Sequence, residues 1–330
     1  MHGNFFARTG LVLAFILLMA GPAAAGNLTI DLNYSYDTNN FFTNHPQAEV
    51  LMNDAAAYYE SILSTSFTAI DPAAASTADG VPGGDVWNGT TFNPSNTSAN
   101  ITINDATINA NTIEVFVGGS SFSGSELGLG GFGNIFVSGY SSTWINTVLG
   151  RGQAGALGTS NTQTAYSTWG GSISFSTAGN WYFDPNLAAN HTVPTGEYDF
   201  YSVALHELGH VLGLGTANVW KNDTSGGLFD GAHAVAANDG ADPAESPDLG
   251  HWAEGTMSDV YGTNTLGNAT MTPTLFDGQR NLVTNLDVAA LQDIGWAIVP
   301  EPAICTFAAA VVVGLHAWRR RSYTASRVKA

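Results

Sequence analysis

The sequence predicts an α+β fold, and three stretches carry that prediction. Residues 28–36 (LTIDLNYSY) set Leu28, Ile30, Leu32, Tyr34 and Tyr36 on alternate positions, the period of a strand with one buried face. Residues 46–63 place Ala48, Leu51, Met52, Ala55, Tyr59, Ile62 and Leu63 at helical spacing behind Pro46, and proline suits the first turn of a helix. Residues 199–215 (DFYSVALHELGHVLGLG) read as a second helix. Asp199 is its N-cap, Val203, Leu205, Val211 and Leu212 are its apolar positions, and Gly213 and Gly215 end it. A chain of 330 residues with 44% hydrophobic content can bury one large domain or two small ones.

Taken in order, the chain begins with an address. Residues 1–25 combine Arg8, an apolar run over 11–20 and Ala23-Ala24-Ala25, the pattern of a secretory signal peptide cleaved before Gly26. The first strand and helix follow. Residues 71–111 are rich in Ala, Gly, Asn, Thr and Ser and are expected to form irregular surface with short strands. Residues 112–117 (TIEVFV) and 134–138 are strand candidates, and the glycine cluster at 124–133 between them is expected to be a loop. That cluster lacks the following helix that a phosphate-binding loop needs, so no nucleotide site is predicted. Residues 172–175 (SISF) are the strand nearest upstream of the helix at 199–215.

That helix contains H-E-x-x-H as His206, Glu207 and His210. Positions i and i+4 share one helix face, so the two imidazoles can reach one metal ion. Glu207 sits beside them, within reach of a metal-bound water without being a ligand. A zinc peptidase needs this arrangement: zinc lowers the pKa of its water to about 7, and a carboxylate takes the proton as hydroxide attacks a polarised carbonyl. A catalytic zinc site takes three protein ligands plus water. On the residues alone the third ligand stays open among His233, His251 and a carboxylate such as Asp230, Asp239 or Glu254.

The run from His206 to Thr216, H-E-L-G-H-V-L-G-L-G-T, resembles the metzincin signature H-E-x-x-H-x-x-G-x-x-H. Gly213 is in place, but Thr216 stands where the third histidine would be, and a neutral hydroxyl is a poor zinc ligand. Downstream come Gly250-His251-Trp252, Met271-Thr272-Pro273 and Gly278-Gln279-Arg280. A helix-like stretch at 284–296 closes the series, opened by Thr284-x-x-Asp287 in the manner of a capping box, with Val288, Leu291 and Ile294 on one side. In this combination the chain resembles the leishmanolysin branch of the metzincins, and in particular bacterial leishmanolysin-like metallopeptidases, over roughly residues 28–299.

The resemblance implies a metzincin-like zinc peptidase domain. A twisted N-terminal sheet, an active-site helix and a smaller C-terminal subdomain would enclose a cleft. It implies one catalytic Zn2+ held by His206, His210 and His251. Glu207 would act as general base and then as proton donor, and the substrate would be a protein or peptide. Met271 would be the Met-turn residue, whose thioether floors the ligands. Met257 is its rival, because the stretch from His251 to Met271 is long. By the same resemblance residues 172–175 would be the edge strand that pairs with an extended substrate, and an ordinary inner strand is the other reading. Leishmanolysin proper is cysteine-rich, whereas this chain has no cysteine before Cys305.

In the leishmanolysin branch an insertion separates the H-E-x-x-H-x-x-G helix from the third histidine, and by that resemblance residues 222–250, with Asp230, Asp239, Asp242, Glu245 and Asp248, would be this insertion. A solvated acidic loop is the simpler reading. Ca2+ is the other, although the spacing matches no EF-hand loop. All 27 acidic residues lie between 26 and 302, against three basic ones, Arg151, Lys221 and Arg280, for a net charge of −24 there. Such a charge argues against nucleic acid or an anionic membrane as partner. Without cysteine, residues 26–298 have neither a disulfide nor a thiolate latch for a metal.

The C-terminus carries a second address. Val299-Pro300-Glu301-Pro302 precedes an apolar run at 303–318 and then Arg319, Arg320 and Arg321. This resembles the bacterial PEP-CTERM sorting signal. It implies an exosortase-type processing enzyme as a partner, transit through the inner membrane, membrane contact through the tail alone and a cell-surface or extracellular location. The expected organisation is a leader at 1–25, a metallopeptidase domain at 26–298 and a sorting tail at 299–330. The expected function is that of an exported zinc endopeptidase. The alternative is a non-catalytic surface or matrix protein that keeps its metal, and Glu207 tells against it, since a scaffold has no use for that carboxylate.

Overall fold

One mixed sheet with helices on one face and a second sheet on the other makes up the α+β fold of the computed structural model, which describes residues 28–152, 168–188 and 191–299. The leader expected at 1–25 and, past Val299, the sorting tail expected at 299–330 lie outside the described residues. In chain order the elements are β1 (Thr29–Asn33), α1 (Phe41–Asn44), α2 (Pro46–Ile62), α3 (Pro72–Ala78), β2 (Val86–Asn93), β3 (Asn96–Asn104) and β4 (Thr112–Ser120). Then come β5 (Gly128–Phe132), β6 (Asn134–Ser138), α4 (Ser142–Gly150), β7 (Gly170–Ser176) and α5 (Phe200–Val211). The last third holds α6 (Asn218–Asn222), α7 (Ala232–Ala237), a hairpin of Met257–Asp259 with Leu266–Asn268, and α8 (Asn285–Asp293).

The main sheet runs β1-β4-β7-β5, with β1, β4 and β7 parallel and β5 antiparallel at the edge. Strand β4 shows how sequence sets the layers. Ile113, Val115 and Val117 enter the core shared with α2 and α5, while Phe116 points the other way, into a cluster with Trp87, Trp144 and Trp169. That second cluster lies under the antiparallel sheet β3-β2-β6. Arg151, wholly buried, ties its base together by donating to the carbonyls of Thr68, Asn109, Thr112 and Thr168.

Helix α2 starts at Pro46 and buries the apolar positions read from its spacing. Its Tyr59 hydroxyl donates to the Leu205 carbonyl at 2.9 Å and so clamps it to α5. Helix α5 is buried on nearly every side. Asp199 caps it by accepting the Ser202 N–H at 3.1 Å, and the same carboxylate takes a two-pronged ion pair from Arg280. One apolar core runs from Leu28 to Trp296, so the two expected subdomains share their interior.

Four expectations change. Residues 71–111 are more regular than expected, holding α3 and the β2–β3 hairpin. The inward positions of β2 include Trp87, Gly89 and Thr91, a mixture that shows no apolar alternation. The glycine cluster at 124–133 contains strand β5. Strand β7, which contains 172–175, is an inner strand with all its residues buried, because β5 pairs with its outer side. Within 222–250 lie α7 and a two-residue strand pair, and Phe229 and Ala234 anchor the segment to the core.

Candidate metal centre

Helix α5 presents His206 and His210 on one face. His251 reaches them because the turn after α5 admits the chain at Gly250. Gly215 has φ +69°, and a Cβ there would stand 1.8 Å from the Gly250 carbonyl oxygen, so only glycine fits. The ligand-capable atoms of the three histidines lie within 4.8 Å of one another, and among the described residues no other group of His, Cys, Asp or Glu is placed to hold a metal ion. His233 is elsewhere, half out in solvent and paired with Asp293 at 2.7 Å. Asp230, Asp239 and Glu254 are exposed and outside the triad. The remaining acids of 222–250 form no ion-binding group with them. Glu245 instead accepts the Trp220 indole N–H at 2.7 Å.

Each imidazole has an acceptor at Nδ1. His206 meets the Thr270 carbonyl at 2.7 Å, His210 the Leu214 carbonyl at 2.9 Å, and His251 the Asp248 carboxylate at 2.9 Å. Carbonyls and carboxylates only accept, so in the neutral rings Nδ1 carries the proton and Nε2 is bare. The Nε2 atoms of His210 and His251 stand 3.1 Å apart, close enough to share one cation. Burial, then the neighbouring His251, holds the His206 pKa down to about 4. Burial likewise depresses His210, with His206 and His251 adding to it. Both rings are therefore neutral, as a metal ligand must be, near neutral pH. For Asp248, partial burial opposes ionisation, but hydrogen bonds from Ser246 and Gly250 and the closeness of His251 prevail and hold its carboxyl at about 2.

Glu207 faces strand β5. Its carboxylate accepts a backbone hydrogen bond from Gly130, yet burial dominates and pushes its pKa up to about 8. The approach is close: a Cβ on Gly128 would stand 2.5 Å from Glu207 Oε1, and one on Gly130 would stand 2.3 Å from the Glu207 carbonyl oxygen. Met271 packs against Gly209 of α5, fully buried, in a turn closed by the Thr272 N–H on the Ala269 carbonyl. Its sulfur would be 2.7 Å from a Cβ on Gly209, so the glycine of H-E-L-G-H makes room for it. Met257 lies in the distant hairpin and is half exposed.

Asp287 holds this assembly from behind. It accepts from the Trp252 indole, the Thr270 and Met271 N–H groups, and the N–H and hydroxyl of Thr284. It is thus at once the capping-box acid of α8 and the anchor of the turn that carries Thr270 and Met271. The capping box was legible in the sequence; the reach to Trp252 and Met271 had no sequence signal. Asp248 had none beyond being an acid near His251.

The histidines and Glu207 line a cleft of ≈ 640 Å³ together with residues 125–130 and 272–277. No known protein family, curated protein or solved structure matches the chain.

Proposed function

We propose that this protein is an exported zinc-dependent endopeptidase, similar in kind to the leishmanolysin branch of the metzincins. The observation that carries the reading is the convergence of the His206, His210 and His251 imidazoles, their ligand-capable atoms within 4.8 Å of one another, in a cleft that the buried carboxylate of Glu207 also lines. Three imidazole ligands suit zinc, whose catalytic sites keep a fourth position open. Zinc bound there would polarise the scissile carbonyl and lower the pKa of water.

The chain's own groups supply the rest. Glu207 takes the proton of the attacking water and later delivers it to the leaving amine, and a carboxyl pushed up toward neutral pH suits both steps. Strand β5 offers its outer edge along the cleft, so an extended peptide can add to the sheet there by backbone pairing. Met271 gives the ligands an apolar floor, and Asp287 fixes the turn that holds it. The leader-like and tail-like termini support export and display at the cell surface.

The test is cleavage of an unfolded protein by the wild type beside Glu207→Ala and His251→Ala. The expected outcome is that Glu207→Ala binds zinc but loses cleavage by about 10²-fold or more. His251→Ala is expected to lose most of its zinc. Equal cleavage by wild type and Glu207→Ala would remove Glu207 from the chemistry. Bound zinc without any cleavage would favour a surface module that keeps its metal.

A further inference from the structure

We propose that Asp248 is a positioning residue for His251, holding its imidazole in the tautomer and orientation that turn a bare Nε2 toward His206 and His210. This rests on the reading of the triad as a metal site and extends it beyond the three ligands.

The argument starts from the loop that carries His251. The Ser246 N–H donates to the His251 carbonyl at 2.9 Å, and the Leu249 N–H donates to the Ser246 carbonyl at 2.9 Å, so the segment closes on itself. Leu249 turns the corner in the left-handed region, with φ +58°, a conformation that a leucine adopts only when its surroundings hold it. The Trp220 indole supplies part of that hold by donating to the Leu249 carbonyl at 3.1 Å and to Glu245 at 2.7 Å.

Asp248 folds back over this loop and divides its two oxygens. Oδ1 takes the Gly250 N–H at 2.9 Å and the Ser246 hydroxyl. Oδ2 meets His251 Nδ1 at 2.9 Å. One oxygen therefore closes the loop and the other faces the imidazole. His206 and His210 differ, since both stand on α5 and both take backbone carbonyls at Nδ1. His251 stands on a loop, where its ring needs a partner to fix it, and it alone has a carboxylate. A carboxylate at that place both orients a histidine ligand and raises its basicity.

Asp248→Asn separates the two jobs. The amide keeps an oxygen for Gly250 and Ser246, and the fixed N–H of Gly250 stops it from flipping without loss. An NH2 group then stands where Oδ2 stood, facing the Nδ1 proton of His251. The ring relieves the clash by moving its proton to Nε2, the nitrogen the metal needs.

Two readouts on the full-length protein test this. In the metal-free protein, ring 15N shifts of labelled histidine are expected to show His251 protonated at Nδ1 in the wild type and at Nε2 in Asp248→Asn. In competition with a chromophoric chelator, zinc affinity is expected to fall about 10–100-fold in Asp248→Asn. Ser246→Ala, which loosens the loop but leaves Oδ2 in place, is expected to keep the wild-type tautomer and zinc affinity. The proposal is overturned if Asp248→Asn keeps both, or if Ser246→Ala loses as much zinc affinity as Asp248→Asn, which would make Asp248 a loop brace only. A wild type that binds no zinc would sink the peptidase reading, and the tautomer readout would still decide the role of Asp248.

Discussion

Burying Glu207 takes a carboxylate out of water, with the Gly130 N–H as partial compensation. Its pKa rises from the usual 4.5 to about 8, so the folded chain holds the proton more tightly than the unfolded one. The destabilisation is absent below about pH 4.5, grows as pH rises and is complete above 8. Glu207→Gln is therefore expected to stabilise the metal-free protein at pH 9 by about 2 kcal/mol or more, and to change it little at pH 4. Urea unfolding of both proteins at the two pH values checks this; equal stability at pH 9 would mean that water reaches the carboxylate. His206 works in the opposite sense. Its pKa is held below that of the unfolded chain, so its contribution is complete above 6.5 and is lost as pH falls toward 4. The sequence made the first two histidines and Glu207 legible because i,i+4 geometry is local. His251 is 41 residues beyond His210, and only a likeness to a known family pointed to it. Asp248 was silent because its contact depends on the left-handed turn at Leu249, which no pattern announces.

Among the elements, α2, α5 and α8 were legible because large apolar side chains mark a helical period, with Pro46, Asp199 and Thr284 marking their starts. Strand β5 was not. Its GLGGF has too few side chains to show alternation, and backbone pairing to β7 holds it in the sheet. The glycines that hid the strand are the ones the site requires, because α5 packs against them through Glu207. Gly130→Ala puts a methyl 2.3 Å from the Glu207 carbonyl oxygen, a backbone atom that cannot swing aside. The same change at Gly131 meets only Phe92, at 3.9 Å. Gly130→Ala is expected to cost about 1–3 kcal/mol of stability and to reduce the proposed peptide cleavage, by displacing either Glu207 or the edge of β5. Gly131→Ala is expected to be near neutral in both. Thermal unfolding and a cleavage assay on the pair decide it, and matching behaviour of the two variants would show that close packing of β5 on α5 does not matter.

At the scale of the whole molecule, one buried carboxylate joins α8 to the candidate metal centre. Asp287 collects donors from α8, from the turn of Thr270 and Met271, and from the indole next to His251. The Thr270 carbonyl in turn accepts the hydrogen bond from His206 Nδ1, and Trp252 adjoins His251, so two of the three histidines are held through Asp287. Packing of α8 and assembly of the triad are thus coupled, and a metal bound to the triad stabilises the fold by mass action, by about 4 kcal/mol at a thousand times its dissociation constant. Asp287→Ala leaves buried N–H groups without acceptors and is expected to cost the metal-free protein about 3 kcal/mol. It is also expected to shrink the rise in Tm that saturating zinc produces, because part of the binding energy must then reassemble the turn. His251→Ala differs in kind: it is expected to abolish most of the zinc-induced rise while lowering the metal-free Tm far less. Scanning calorimetry of wild type and both variants, with chelator and with zinc, separates the two effects. A full zinc-induced rise in Asp287→Ala would mean that α5 and the loop of His251 assemble the triad without help from α8, and that Asp287 serves the fold alone.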